Sequence, residues 1–157
     1  MGRIVVGIDG SEGSRRALLW AADEATLRRA SLDVIYTYEH HLSWQRYASD
    51  DSMSAATAAA MREDFEAAAR EAAGHAQALA DSMVEVIEGP AVTATAIESS
   101  RPAQTLVDRS RGADLLVVGS RGRGGFKSLT LGSVSQQCAQ HAECPVVIIR
   151  SKPEDHG

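Results

Sequence analysis

Short apolar runs that alternate with helical patterns limit the fold of this chain more than any other feature. Residues 4–8, 115–118 and 146–149 are apolar at nearly every position, which is typical of parallel strands buried on both faces. Ser11, a helix-capping residue, follows the first run, and the next segment repeats apolar residues at helical spacing: Leu18, Ala21, Ala22 and Ala25. Such alternation predicts an α/β fold with a parallel sheet and right-handed crossover connections.

The remaining elements are predicted from the same patterns. Residues 32–38 form a second strand, residues 52–83 a long alanine-rich helix, and residues 102–111 and 133–142 two shorter helices. The long helix has one apolar stripe: Phe65, Ala68, Ala69, Ala72, Ala76, Leu79 and Met83. The third strand is ambiguous, because residues 84–88 and residues 92–98 both alternate between apolar and polar side chains.

A glycine-rich loop joins the apolar run 115–118 to the helix that begins near Ser133. A strand, a glycine loop and a helix start together place backbone N–H groups and a positive helix end around a phosphate. Glycine is needed where a Cβ would block a turn or the close approach of backbone to a ligand. The segment therefore predicts phosphate or nucleotide binding; a glycine-rich surface loop without a ligand is the alternative.

Two common phosphate loops do not fit this segment. A Walker A loop requires glycine before Lys127-Ser128, but Phe126 stands there. The dinucleotide fingerprint that would begin at Gly122 and Gly124 ends on Lys127 instead of glycine. A different spacing remains, in which two residues separate Gly119 from Gly122 and nine separate Gly122 from Gly132-Ser133.

This spacing resembles the ATP-binding signature of the universal stress protein family, and the resemblance extends over nearly the whole chain. It implies an open, doubly wound, Rossmann-like sheet of five parallel strands in the order 3-2-1-4-5, with helices on both faces. It also places the third strand at residues 92–98. We expect residues 1–150 to form one domain and residues 151–157 a frayed polar tail.

In that sheet order, strands 1 and 4 are neighbours whose connections leave towards opposite faces. Ligands bind in such sheets at the crevice beyond the carboxyl ends of these strands. Asp9 follows strand 1 and Gly119 ends strand 4. The resemblance therefore implies an ATP site, with Mg²⁺ as the accompanying ion, at this point.

The resemblance assigns a role to each expected site residue. The residues expected to contact the phosphates are Gly119, Gly122, Gly132, Ser133 and Val134. Ser133 and Val134 supply N–H groups at the helix start. Asp9 is expected at a ribose hydroxyl or a bound cation; its alternative role is an Asx turn that stabilises the loop. The backbone near Tyr38 is expected to contact adenine, although the Tyr38 ring could instead cap the core.

Other polar residues have weaker claims to function. Arg121, Arg123 and Lys127 either neutralise the phosphates or are solvated loop charges. His40-His41 lacks the companion ligands of a metal site. Ser133 is expected to be the N-cap of its helix.

Composition restricts the partners. The net charge is −5, and no basic face suited to nucleic acid appears. No apolar stretch is long enough to span a membrane and no signal-peptide pattern is present, so we expect a cytoplasmic protein. With two cysteines, a disulfide framework is excluded, and Cys138 is expected in the core.

The last strand, residues 146–149, would be a sheet edge without a proline or lysine to block pairing. A homodimer formed through this strand is therefore expected, and the family resemblance implies the same surface. We interpret the chain as an ATP-binding regulatory or stress-response protein with an unidentified protein partner. The alternatives are a weak ATPase or nucleotidyl-transfer enzyme on the same fold, and a dimeric scaffold that binds no nucleotide.

Overall fold

The computed structural model describes residues 1–40, 52–122 and 131–150. They form a five-stranded parallel sheet in the order β3-β2-β1-β4-β5, which confirms the predicted fold class and topology. The elements in chain order are β1 Arg3–Ile8, α1 Glu12–Arg28, β2 Ser31–Tyr38, α2 Ala55–Val84, β3 Val92–Glu98, α3 Pro102–Arg109, β4 Leu115–Gly119, α4 Ser133–His141 and β5 Val146–Ile149. No helix in the described part of the chain is long and apolar enough to cross a membrane.

The third strand is β3, at the later of the two candidate positions. The earlier position ends α2 instead: Val84 is its last residue, and the N–H of Ile87 donates to the carbonyl of Val84 in a turn. Val86 is 70% exposed, so the alternation at 84–88 does not correspond to a buried strand face. Pairing of β3 with all but the first residue of β2 decides between two equally strand-like sequences.

Helices cover both faces of the sheet and create two apolar cores. One core lies under α1 and contains Ile4, Val6 and Leu32, and the other lies under α3 and α4 and contains Val5, Leu116 and Cys138. Successive residues of β1 therefore enter opposite cores, as expected for a strand covered on both faces. Cys138 is fully buried, which confirms its predicted place in the core.

Helix α1 begins as the sequence predicts, because the Ser11 hydroxyl accepts a hydrogen bond from the N–H of Ser14. Helix α2 departs from its predicted stripe. Only Ala76 and Ala80 are buried in it, whereas Leu79 is 40% exposed. The predicted stripe was wrong at Leu79: the buried residue there is Ala80, four residues after Ala76.

Candidate functional site

A cavity of about 280 Å³ lies at the carboxyl ends of β1 and β4, where the strand order predicts a ligand site. Its wall includes every predicted binding residue except Gly132. The lining residues are Gly7, Ile8, Asp9, Ser14, Thr37, Tyr38, Glu39, Ser99, Pro102, Leu106, Val118, Gly119, Arg121, Gly122, Ser133 and Val134. The fold therefore brings the ends of four strands, β1 to β4, and the start of α4 to one place.

Asp9 forms the Asx turn that was its alternative role. Its Oδ1 accepts the N–H of Ser11 at 2.9 Å, and its own N–H donates to the Ser14 hydroxyl at 3.3 Å. The Oδ2 atom lies against the glycine loop, since a Cβ built on Gly122 would be 2.5 Å from it. The turn thus fixes the carboxylate at the cavity wall and joins the loop after β1 to the loop after β4.

Two of the three predicted site glycines, Gly119 and Gly122, are required by packing inside the protein, which the sequence did not reveal. A Cβ on Gly119 would lie 3.0 Å from the carbonyl carbon of Gly13, so glycine lets the start of α1 pack on the end of β4. Gly122 makes room for Asp9 in the same way. A Cβ on Gly132 would meet its nearest neighbour, the Arg121 Cα, at an ordinary 3.4 Å. Packing alone therefore requires glycine at 119 and 122, whatever the cavity binds.

The start of α4 differs by one residue from the expectation. Gly132 is the N-cap and Ser133 is the first helical residue, so the prediction of Ser133 as N-cap was wrong. No side-chain hydrogen bond caps this helix within the described ranges. The first N–H groups of a helix have no partner inside it and carry its partial positive charge. Ser133 and Val134 bring this helix end to the cavity wall.

Three buried serines support the site, and the sequence analysis missed them: Ser14, Ser120 and Ser135. The carbonyl of Ser120 accepts the N–H of Gly132 at 2.6 Å and the Ser135 hydroxyl at 2.9 Å. These bonds hold the two ends of the glycine loop together. Ser14 and Ser135 stand at helical spacing among core residues, and this pattern could have identified them. A buried hydroxyl requires a hydrogen-bond partner, so a serine at a core position indicates a specific contact.

Tyr38 lines the cavity, but its carbonyl faces β3 and accepts the N–H of Ser99 at 2.9 Å. Backbone groups of successive strand residues point to opposite sides, so those of Thr37 and Glu39 face β1. Strand β1 ends at Ile8, opposite Tyr36, and therefore stops short of Thr37. The adenine contact expected near Tyr38 stays a prediction, and the backbone groups that face the β1 side there are those of Thr37 and Glu39.

The Tyr38 ring stacks on Tyr36, with ring centroids 6.4 Å apart. Burial, and to a smaller extent the negative charge of Glu98, raises the pKa of the Tyr38 phenol. The ring thus contacts its own strand, and Tyr36 is the member of this pair that packs against the core under α1.

Charges of both signs line the cavity: the carboxylates of Asp9 and Glu39, and the guanidinium of Arg121. Arg123 and Lys127, for which phosphate neutralisation and a solvated loop charge are the two alternatives, lie outside the described residues, as does His41. Over residues 1–40, 52–122 and 131–150, no group of three His, Cys, Asp or Glu side chains could hold a metal ion.

Comparison with known sequences identifies relatives over nearly the whole chain. A sequence profile of the Universal stress protein family matches residues 1–150. Universal stress protein Rv2028c of Mycobacterium tuberculosis is 36% identical over 147 residues, which cover 94% of this chain and 47% of that protein. Universal stress protein Rv2624c of the same organism is 35% identical over 153 residues, covering 97% of this chain and 49% of that protein. The chain thus spans about half the length of these relatives.

Solved structures share the fold. Universal stress protein UspA from Lactobacillus plantarum has a TM-score of 0.65 at 22% identity, covering 95% of this chain and 97% of its own. A universal stress protein in complex with cAMP has a TM-score of 0.58 at 23% identity, covering 94% and 95%. The universal stress protein from Archaeoglobus fulgidus in complex with dAMP has a TM-score of 0.51 at 21% identity, covering 95% and 98%.

The sequence matches and the fold agree with the glycine spacing from which the resemblance was first inferred. Since the family profile covers residues 1–150 of 157, the chain belongs to the universal stress protein family.

Proposed function

We propose that the cavity between β1 and β4 binds ATP with Mg²⁺, and that the occupied protein acts as a cytoplasmic regulator in a stress response. The observation that carries this proposal is the start of α4 at the cavity wall, with no side-chain cap within the described ranges. Such a helix end attracts anions through its free N–H groups and its dipole. Two structural relatives in complex with cAMP and dAMP support an adenine nucleotide as the ligand class.

The phosphates belong at the α4 end of the cavity. Ser133 and Val134 supply backbone N–H groups there, and Arg121 adds a positive charge on the same wall. Gly132 contributes indirectly, because its N–H is already donated to Ser120 while its extended backbone starts the helix.

The base belongs at the opposite end, near the last residues of β2. An adenine edge needs one donor and one acceptor, which the carbonyl of Thr37 and the N–H of Glu39 can supply where β1 has ended. The apolar side chain of Leu106, which lies over Gly7 of β1, provides a surface for the ring. Tyr38 then acts by holding β2 against β3 rather than by contacting the base.

Asp9 fits the ribose or the bound ion. Its carboxylate is fixed by the Asx turn and lies between the two ends of the cavity lining. An oxygen in that position can accept a ribose hydroxyl or complete the ligand set of an Mg²⁺ ion that ATP holds by its phosphates. When bound, the ion would neutralise phosphate charge.

The proposal is nucleotide binding with slow turnover. Fast phosphoryl transfer requires a metal-binding acid, a water-positioning base and a charge clamp in line. Asp9 can serve as the metal-binding acid and Arg121 as the charge clamp. The other carboxylate of the cavity, Glu39, lies beside the proposed adenine position, at the far end from α4, and is therefore not placed to position the attacking water. A weak ATPase remains the second candidate, since Asp9 can contact a metal–ATP complex.

We also propose that the protein forms a homodimer through β5. This strand is an edge of the sheet, and its four residues are aliphatic and only half-buried. Pairing with a second copy about a two-fold axis would cover these side chains. A dimeric scaffold without nucleotide is the corresponding alternative if the cavity proves not to bind ATP.

The test replaces Ser133, because position N1 allows the N–H group to be deleted without disturbing the helix. Proline is favoured at N1, and the extended Gly132 before it, with ψ 169°, suits a following proline. Ser133→Pro removes the hydroxyl and the N–H, whereas Ser133→Ala removes the hydroxyl alone. We expect calorimetry to show ATP affinity at least about tenfold weaker in the proline variant and only a few-fold weaker in the alanine variant.

Gly74→Ala provides the control, since a Cβ at position 74 meets nothing within 4 Å and this position lies on α2, away from the cavity lining. It should bind ATP as the wild type does. Unchanged ATP affinity in Ser133→Pro, with a native circular dichroism spectrum, would refute the phosphate assignment. Wild-type protein that binds no ATP would refute the function.

A further inference from the structure

Ser135 is a deeply buried polar residue in the first turn of α4. Its exposed fraction is 2%, and it does not line the cavity. Its hydroxyl donates to the carbonyl of Ser120 at 2.9 Å and lies 3.0 Å from the carbonyl of Gly132. A buried hydroxyl that reaches outside its own helix fixes two elements relative to each other.

The two elements are the end of β4 and the first turn of α4. The N–H of Ser120 donates to the carbonyl of Ile149 at 2.8 Å, so this residue is anchored to the sheet through β5. Its carbonyl then receives both the Gly132 N–H and the Ser135 hydroxyl. The first turn of α4 is therefore attached to the sheet at two points, one before and one after the residues at the cavity wall.

We propose that Ser135 is a positioning residue that orients the N–H groups of Ser133 and Val134 towards a bound phosphate. Ser133 and Val134 lie between the two attachment points, so the direction of their N–H groups depends on both. This inference rests on the proposed nucleotide site. It adds that the affinity for the phosphate part of the ligand depends on a hydroxyl that never contacts the ligand.

The experiment compares a ligand that has phosphates with one that lacks them. Titrations of wild type and Ser135→Ala with ATP and with adenosine are followed by amide NMR shifts. We expect Ser135→Ala to weaken ATP binding about fivefold, as for loss of one hydrogen bond, and to change adenosine binding less than twofold. A purely structural role would change both ligands by the same factor.

Ser110→Ala is the matched control. Ser110 is also a buried serine, 1% exposed, whose hydroxyl donates to a backbone carbonyl, that of Val107, at 2.9 Å. It belongs to the end of α3 and not to the cavity lining. This variant should lose a similar amount of stability while the ratio of ATP to adenosine affinity stays at the wild-type value.

Amide hydrogen exchange provides a measurement that needs no ligand. The N–H groups of Gly132 and Gln136 are bonded to the carbonyls of Ser120 and Gly132, and both should exchange faster in Ser135→Ala than in Ser110→Ala. Equal exchange in the two variants, or an unchanged ratio of affinities, would overturn the positioning role. If wild-type protein binds no ATP, the proposed function is refuted and this inference with it.

Discussion

The two edges of the sheet differ in how their outer backbone is covered. At β3, a side chain of the same molecule covers the outer backbone: the Gln77 amide donates to the carbonyl of Ala94 and accepts the N–H of Ala96, both at 2.9 Å. The primary amide has the same donor and acceptor as a peptide group, so Gln77 imitates one residue of a neighbouring strand. Helix α2 thus satisfies one outward carbonyl and one outward N–H group of this edge.

No such bridge reaches β5 from residues 1–40, 52–122 or 131–150. Its inner side is paired with β4, where the N–H of Leu116 donates to the carbonyl of Pro145. By alternation, the backbone groups of Val146 and Ile148 then point outwards. The side chains of all four residues are half-buried.

The difference shows that an edge strand can be protected by its own domain or left for a partner. Strand β3 contains threonine, alanine and glutamate besides its two larger aliphatic residues, and a glutamine closes it. Strand β5 is Val-Val-Ile-Ile, which favours pairing with another strand. The proposed dimer follows from this contrast, and the contrast can be tested at each edge.

The largest effect is expected at β5. Ile148→Pro deletes an outward N–H group and leaves the inward groups of Val147 and Ile149 for β4, because proline is tolerated on the open side of an edge strand. We expect the dissociation constant of the dimer to rise at least about thirtyfold, which two lost hydrogen bonds at a two-fold interface would produce. Sedimentation velocity across a concentration series measures it.

Val147→Pro is the contrasting variant, because it deletes an inward N–H group and should destabilise the fold itself. Ile148→Pro should instead keep a native circular dichroism spectrum. A wild-type protein that is monomeric at high micromolar concentration would end the dimer proposal and leave β5 an exposed edge.

A smaller effect is expected at β3. Gln77→Leu removes both bonds to the strand and leaves a carbonyl and an N–H without their partner. We expect a loss of about 2 kcal/mol in the free energy of unfolding, measured by urea titration, and more aggregation through the uncovered edge.

Gln104→Leu controls for the loss of a glutamine, since Gln104 is exposed and bonds only Asp108 on its own helix among the contacts the structure describes. This variant should stay within about 0.5 kcal/mol of the wild type. Equal stability of the two variants would show that the glutamine bridge does not stabilise β3.

The smallest expected effect is a pH dependence of the free energy of unfolding, which arises from Cys138 in the core that supports β5. Burial, with a lesser contribution from Cys144, raises the pKa of the Cys138 thiol to about 11 from 9.0. Since the unfolded chain releases this proton first, the contribution to stability is fully present below pH 9 and is lost as the pH rises towards 11. Cys138 packs in the same core as Val146 and Ile148, so its ionisation weakens the support of β5.

Urea titrations of wild type and Cys138→Ala at pH 8 and pH 10 measure this effect. The alanine variant is less stable at pH 8 because it leaves a cavity, but it should lose less stability on going to pH 10. The same alkaline loss in both proteins would show that Cys138 does not titrate as its burial requires.

The sequence predicted the parallel α/β fold, because buried strands and amphipathic helices are local patterns. The apolar runs at 4–8 and 146–149 could be located without any knowledge of neighbours, and Ser11 identified the start of α1. The glycine spacing from Gly119 to Gly132 identified the family for the same reason, since a loop signature is written in consecutive residues.

Tertiary structure decided what depends on residues that are distant in sequence. Strand β3 was chosen over residues 84–88 by pairing with β2, and the need for glycine at 119 and 122 came from Gly13 and Asp9. The contact of Ser135 with Ser120 and the glutamine bridge to β3 also join separate elements. Local patterns fix helices and strands through the backbone's own hydrogen bonds, but a buried polar contact exists only when the folded chain brings its two partners together.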